Sequence, residues 1–170
     1  MVSVTSLETA FGTLWLAASE RGLCRLALPP AKEHARFHAW VTRHGPPGQQ
    51  GSAVLALANK ELQEYLAGAR RHFTVPLDVE GSEFFRQVWD VLMHIPYGQT
   101  LTYTALAARA QRPRAFRAAG AACALNPVPL IIPCHRAVGS NGSLTGFGGG
   151  LAMKEALLRM EGAIGGKGTD

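Results

Sequence analysis

The chain has 170 residues, 47% of them hydrophobic and 17% charged, with a formal net charge of +5. That suffices for one good core or two small lobes and is too short for a large multidomain enzyme. No apolar run approaches the roughly 20 residues of a membrane span and no export signal opens the chain, which excludes a transmembrane protein and wholesale disorder and predicts a cytoplasmic location, nuclear in a eukaryote. Thr13–Ala18 and Leu23–Leu28 flank Ser-Glu-Arg-Gly and predict a β-hairpin at the start of an N-terminal lobe. After Pro29-Pro30, Glu33–Val41 predicts a short helix and Gly45–Gly51, with two prolines, a loop. Ser52 is a candidate N-cap for a helix in which Leu55, Ala58, Leu62, Tyr65 and Leu66 recur at helical spacing until Gly68. Phe73–Val79 then reads as a strand or linker.

The second half reads as helical. Ser82 caps a helix with an apolar stripe of Phe84, Val88, Val91, Leu92 and Ile95, ended by Pro96-Tyr97-Gly98. Thr102 opens a short helix through Ala110, Gln111-Arg112-Pro113 makes a tight break, and a small-residue helix, Arg114–Leu125, follows. Two short helices around a tight turn form a helix-turn-helix outline, which structural context has to confirm. Charge favours the same region. Residues 1–80 hold eight Lys or Arg against seven acids, but residues 81–170 hold nine against five, with Arg109, Arg112, Arg114 and Arg117 within nine positions. A nucleic-acid contact, if the chain makes one, belongs in this second half.

Asn126-Pro127 ends that helix, and Val-Pro-Leu-Ile-Ile-Pro then describes a buried, stiff, extended segment delivering Cys134 to a fixed place. Three widely spaced cysteines, Cys24, Cys123 and Cys134, suggest reduced thiols rather than disulfides or a thiolate zinc site. A buried cysteine is commonly an inert core residue. Against that reading, His135 and Arg136 follow at once, and a histidine or positive field can hold a thiolate, the form that attacks electrophiles. In an extended segment, neighbouring side chains point to opposite faces, so Cys134 and His135 need a bridging water or a turn. The candidate partner for His135 is Glu161, which continues the Leu157-Leu158 face of a last helix, Leu151–Glu161; a frayed surface glutamate is the alternative. Gly139–Gly150 holds six glycines and allows close approach to a ligand, without the pattern of a nucleotide-triphosphate loop.

From about Phe84 to Gly162 the chain resembles the O6-alkylguanine-DNA alkyltransferases, which repair DNA by direct reversal. The resemblance rests on Pro96-Tyr97-Gly98 with Tyr103, then Arg117, Asn126-Pro127, Ile132-Pro133-Cys134-His135-Arg136, Gly146-Phe147 with Gly149-Gly150, and Lys154 through Leu157-Leu158 to Glu161-Gly162. It implies an α+β fold: a small N-terminal mixed lobe (1–79) with a hairpin or sheet and helix, a C-terminal helical lobe (80–162) carrying the helix-turn-helix and the active-site cysteine, and a flexible tail (163–170). It implies irreversible, single-turnover transfer of the alkyl group from O6-alkylguanine in double-stranded DNA to Cys134, with O4-alkylthymine a second candidate substrate, and a monomer that binds the minor groove without a cofactor or a membrane. Arg117 would fill the space left by the flipped nucleotide, and Tyr103, Thr104, Arg112 and Ser140 match positions that line or touch DNA. Tyr103 would also give a proton to the departing guanine, His135 and Glu161 would deprotonate the thiol, and Asn126 would hold the turn before the cysteine. Phe147, Gly148 and Lys154 match the substrate pocket.

Two departures stand out. Members of that family commonly have tyrosine where this chain has Phe147. Some also bind zinc in the N-terminal lobe, where this chain has Ser19 and Cys24, of which one is a possible ligand. His34 and His38, four apart, suit a shared metal, but two ligands do not close a site, so the reading is two solvent-facing histidines and no metal. A damage-sensing relative without transfer and a cysteine hydrolase are the rival readings; the first has no need of the nucleophile, and the second needs an oxyanion hole for acyl chemistry.

Overall fold

The computed structural model describes residues 1–45 and 53–165, so the predicted loop 46–51 and the Ser52 cap lie outside the described residues. The chain is α+β and divides into two compact units, Met1–Glu80 and Gly81–Asp170.

In the first unit the predicted hairpin is β2 (Gly12–Ala18) with β3 (Leu23–Ala27), and a strand the sequence did not announce, β1 (Ser3–Thr9), pairs antiparallel with β2 from Ser3↔Ala18 to Thr9↔Gly12. Helices α1 (Ala31–Arg43) and α2 (Ala53–Leu66) pack on this sheet. Phe37 and Val41, one turn apart on α1, bury against Ala17 and Ala27. Residues 70–78 form neither a full strand nor a free linker but a strap across the unit. Glu61 of α2 is fully buried and accepts from Thr74 N (2.8 Å), Val75 N (3.1 Å) and Thr74 Oγ1, with Arg70 Nη1 at 3.4 Å. Further along, Leu77 bridges Leu23: Leu23 N donates to Pro76 O (2.8 Å) and Asp78 N to Leu23 O (2.9 Å). The approach at Gly22 is so close that a Cβ would sit 2.7 Å from the Leu77 carbonyl carbon, which requires glycine.

The expectation of two solvent-facing histidines is half right. His34 is half-buried and its Nε2 donates to the Thr13 carbonyl (2.9 Å), while His38 stands exposed with its ring edge-on to Trp15. Ser19 donates to Asp78, and the Cys24 thiol lies 4.0 Å from the same carboxylate, which Arg21 also grips (3.0 Å). The zinc that the resemblance implies for some members does not fit this lobe: Ser19, Cys24 and His34 have their donor atoms engaged within the fold, and no group of three metal-ligand side chains occurs among the described residues.

The second unit opens with α3 (Glu83–Met93), capped by Ser82 Oγ, which accepts from Phe85 N (3.2 Å). Its buried face is Phe84, Val88, Trp89 and Leu92; Val91 is only half-buried. Trp89 turns inward because its indole N–H reaches Ala122 O (2.9 Å). Strand β4 (Leu101–Thr102) leads into α4 (Tyr103–Arg109), where Thr102 Oγ1 accepts from Ala105 N. The tight break is a Schellman ending: Gln111 takes a left-handed φ of 64°, Gln111 N donates to Ala108 O and Arg112 N to Ala107 O (both 3.0 Å). A further turn from Arg112 to Ala115 delays α5 to Phe116–Ala124, two residues later than expected. Strand β5 (Ala137–Val138) pairs parallel with β4, and α6 (Leu151–Met160) closes the unit. Residues 163–165 are not a loose tail: Ala163 N bonds Leu158 O and Gly165 O accepts from Arg159, while 166–170 lie outside the described residues. No helix among the described residues is long and apolar enough to cross a membrane.

Candidate active site

The segment before Cys134 is buried throughout but is not extended. It doubles back around Leu130, whose φ of 74° is rare for a branched residue. Asn126 holds the fold-back from inside: its Oδ1 accepts from Val128 N (3.0 Å) and its Nδ2 donates to Ile132 O (2.8 Å), while Ile132 N bonds Val128 O (2.9 Å). A 3-10 turn, Cys134–Arg136, follows, and this supplies the turn that adjacent Cys and His side chains require. The β4–β5 pairing sets Leu101–Thr102, and so the start of α4, beside the end of this turn.

The thiol of Cys134 is 7% exposed as a residue. Burial pushes its pKa up, against the Asn126 side chain and the Lys154 charge, which favour the thiolate. His135, Arg136 and Glu161 are buried together. His135 Nε2 donates to Glu161 Oε1 (2.9 Å); Arg136 grips the same carboxylate with Nε on Oε2 (2.9 Å) and Nη2 on Oε1 (2.8 Å) and donates Nη1 to Ile95 O (2.7 Å). Glu161 is therefore a hub at the end of α6, not a frayed surface group. Because the arginine keeps the carboxylate ionised, it can only accept, and His135 must carry its proton on Nε2. Burial pushes the imidazole pKa down against the pull of Glu161, so the ring rests neutral. Arg136, expected from sequence as a positive charge beside the thiol, is thus the counter-charge of Glu161.

Lys154 is fully buried, and its Nζ donates to the carbonyls of Ala137 (2.7 Å), Thr145 (2.9 Å) and Gly146 (3.4 Å), pinning the glycine-rich loop. Tyr103 Oη donates to the same Thr145 carbonyl (3.3 Å), and the ammonium lies 5.8 Å from its ring centre. Burial holds the phenol above its ordinary pKa. Phe147 sets its ring edge-on to His135, with centroids 6.4 Å apart, while Gly148 and Ser140 are exposed. Arg117, Thr104 and Arg112 are exposed too, and the Arg112 guanidinium sits over the Phe84 ring (4.9 Å). A cavity of about 310 Å³ is lined by Tyr103, Phe116, Gly120, Thr145 and Gly146. Phe116, Gly120 and Thr145 were not singled out from sequence; the one large aromatic in a helix of small residues was the available signal.

Comparison with known proteins extends over both units. Residues 83–163 match the family model described as "6-O-methylguanine DNA methyltransferase, DNA binding domain", and residues 2–79 match "6-O-methylguanine DNA methyltransferase, ribonuclease-like domain". A methylated-DNA--protein-cysteine methyltransferase of Methanosarcina barkeri is 38% identical over 156 residues, 91% of this chain and 94% of its own length. One of the same description from Mycobacterium tuberculosis is 38% identical over 162 residues, covering 95% and 93%. The crystal structure of Mycobacterium tuberculosis O6-methylguanine methyltransferase superposes with a TM-score of 0.80 at 34% identity, covering 99% of this chain and 97% of that one. The Mycobacterium tuberculosis OGT structure in complex with DNA does so with a TM-score of 0.77 at 33% identity, covering 95% and 94%.

Proposed function

The chain belongs to the 6-O-methylguanine DNA methyltransferase family, and from that premise we propose that it repairs DNA by direct reversal, taking the alkyl group of O6-alkylguanine in a duplex onto Cys134. The observation that carries this reading is a nearly buried thiol on a 3-10 turn, in reach of Asn126 and Lys154 and followed by a neutral histidine fixed on a buried carboxylate. Chemistry on a base inside a duplex requires its extrusion, which costs a few kcal/mol and less for a damaged base. The α4–α5 pair enters the minor groove, and Arg117 fills the gap in the stack. The Sγ lone pair attacks the alkyl carbon in line; the S–C bond forms as the C–O6 bond breaks, and the guanine leaves with the bonding pair and accepts a proton from Tyr103.

The thiol must first lose its own proton. With Nε2 engaged by Glu161, Nδ1 of His135 takes it, through water, and the imidazolium that forms faces the Glu161 carboxylate. Asn126 and Lys154 hold the thiolate. The thioether is stable, so each molecule reacts once. The protein acts as a monomer in the cell interior, where its thiols stay reduced. The test is intact mass and peptide mapping after mixing with a duplex containing O6-methylguanine: one methyl group per protein, on Cys134. Methyl on Cys123 or Cys24, or more than one equivalent of repaired base, would overturn it. Binding without any mass change would indicate a damage sensor.

A further inference from the structure

Helix α5 is built of small residues, yet its first residue, Phe116, is a large aromatic left 47% exposed, and its fifth, Gly120, has no side chain at all. Residues four apart share a helix face, so ring and bare backbone are neighbours, and both line the 310 Å³ cavity with Tyr103, Thr145 and Gly146. Packing explains neither. A Cβ at Gly120 would meet nothing within 4 Å, so the fold would accept alanine, a far better helix former. The Phe116 ring, half in water, gains only part of the stabilisation that full burial would give. The slot is thus lined by two aromatic residues, Tyr103 and Phe116, two glycines, Gly120 and Gly146, and Thr145. Such a slot suits a flat heterocycle, since extruded bases are gripped by stacking between aromatic and apolar side chains.

We propose that Phe116 is a substrate-contacting residue, its ring packing on the purine that enters this slot, and that position 120 is kept bare to admit it. This rests on the alkyl-transfer reading above and deepens it. Arg117, about 100° further round the helix, serves the duplex. Phe116 serves the base itself, whether it arrives from DNA or free. The group transfer is unchanged: the alkyl carbon passes from O6 to Sγ and no further reactant enters.

The experiment uses free O6-benzylguanine and follows benzylation of Cys134 by mass as a function of base concentration. Phe116→Ala should raise the half-saturating concentration about tenfold, the scale of one base–aromatic stack, with the maximal rate within about twofold and affinity for undamaged duplex unchanged. Phe116→Tyr should restore wild-type behaviour. Gly120→Leu should fill the slot and suppress reaction with the free base in a protein that melts no lower than wild type. If Phe116→Ala weakens duplex binding and leaves the free-base reaction alone, Phe116 is a groove contact and the proposal fails; it fails equally if all three variants saturate as wild type does. A wild-type protein that reacts with neither the free base nor a damaged duplex overturns the alkyl-transfer reading itself and this proposal with it.

Discussion

Glu161 accepts from His135 and twice from Arg136 while it is itself buried, so its removal touches both fold and chemistry. Glu161→Gln turns an amide N–H₂ toward donors. We expect a loss of about 3 kcal/mol of stability, as when a buried ion pair loses one partner, and, per folded molecule, a roughly hundredfold slower transfer at pH 7. Alkali should recover part of it, because solvent hydroxide then removes the thiol proton. A single-turnover pH profile normalised to the folded fraction reads this, and a wild-type rate at pH 7 would take Glu161 out of the mechanism. Asn126 works on the thiol directly, through its side-chain amide. Asn126→Ala leaves Val128 N–H and Ile132 C=O without their partner, at a cost of about 1–3 kcal/mol. It also removes a group that draws the Cys134 pKa down, so the rate profile should move to higher pH, with roughly a tenfold slower reaction at pH 7 for each unit. A profile that stays in place would confine Asn126 to the loop.

Helix α5 makes a separable prediction. Arg117 is exposed beside the cavity-lining Phe116, and Arg117→Ala should slow repair in duplex DNA at least tenfold while reaction with free O6-benzylguanine stays within twofold. Equal losses on both substrates would contradict a role in extrusion. In α2, Glu61 gives a stability test. Burial pushes its carboxyl up, but the bonds from Thr74 and Val75 and the Arg70 charge draw it further down, below the usual carboxylate range. Its contribution is therefore present above the unfolded value near 4.3 and lost as pH falls through the folded one. Glu61→Gln should cost roughly 2 kcal/mol at pH 7 by urea unfolding, the gap to wild type narrowing toward pH 3; a gap independent of pH would refute the linkage. What the sequence made legible is uneven in the same way. Helices with caps and apolar stripes, such as α3 with Ser82 and α4 with Thr102, announce themselves locally. Strand β1 does not, because its Ser and Thr positions blur the alternation, and the two-residue β4–β5 pair carries no pattern. Leu130 concealed the fold-back before Cys134, since a left-handed leucine has no sequence cue. Nothing local in the sequence shows how Glu61, Arg136 and Lys154 are held, because their partners lie on chain segments up to 41 residues away.

At the scale of the whole molecule, Arg109, Arg112, Arg114 and Arg117 are all exposed in the helix-turn-helix of a chain with net charge +5. If three of them meet phosphates, affinity for undamaged duplex should fall roughly fortyfold between about 50 and 200 mM salt, measurable by titration; binding indifferent to salt would argue against a basic DNA face. The strap at 70–78 bears on synthesis rather than on binding. Leu23 finds its partners at Pro76 and Asp78, and Glu61 finds its own at Thr74 and Val75. At roughly 5–20 residues per second of translation, the hairpin waits several seconds for the stretch that closes its edge. During that interval Leu23 presents an unpaired strand edge, the feature that recruits other chains. A nascent chain stalled before Thr74 therefore lacks the partners of both Leu23 and Glu61, and the contacts that complete the first unit become available only as its last residues are made.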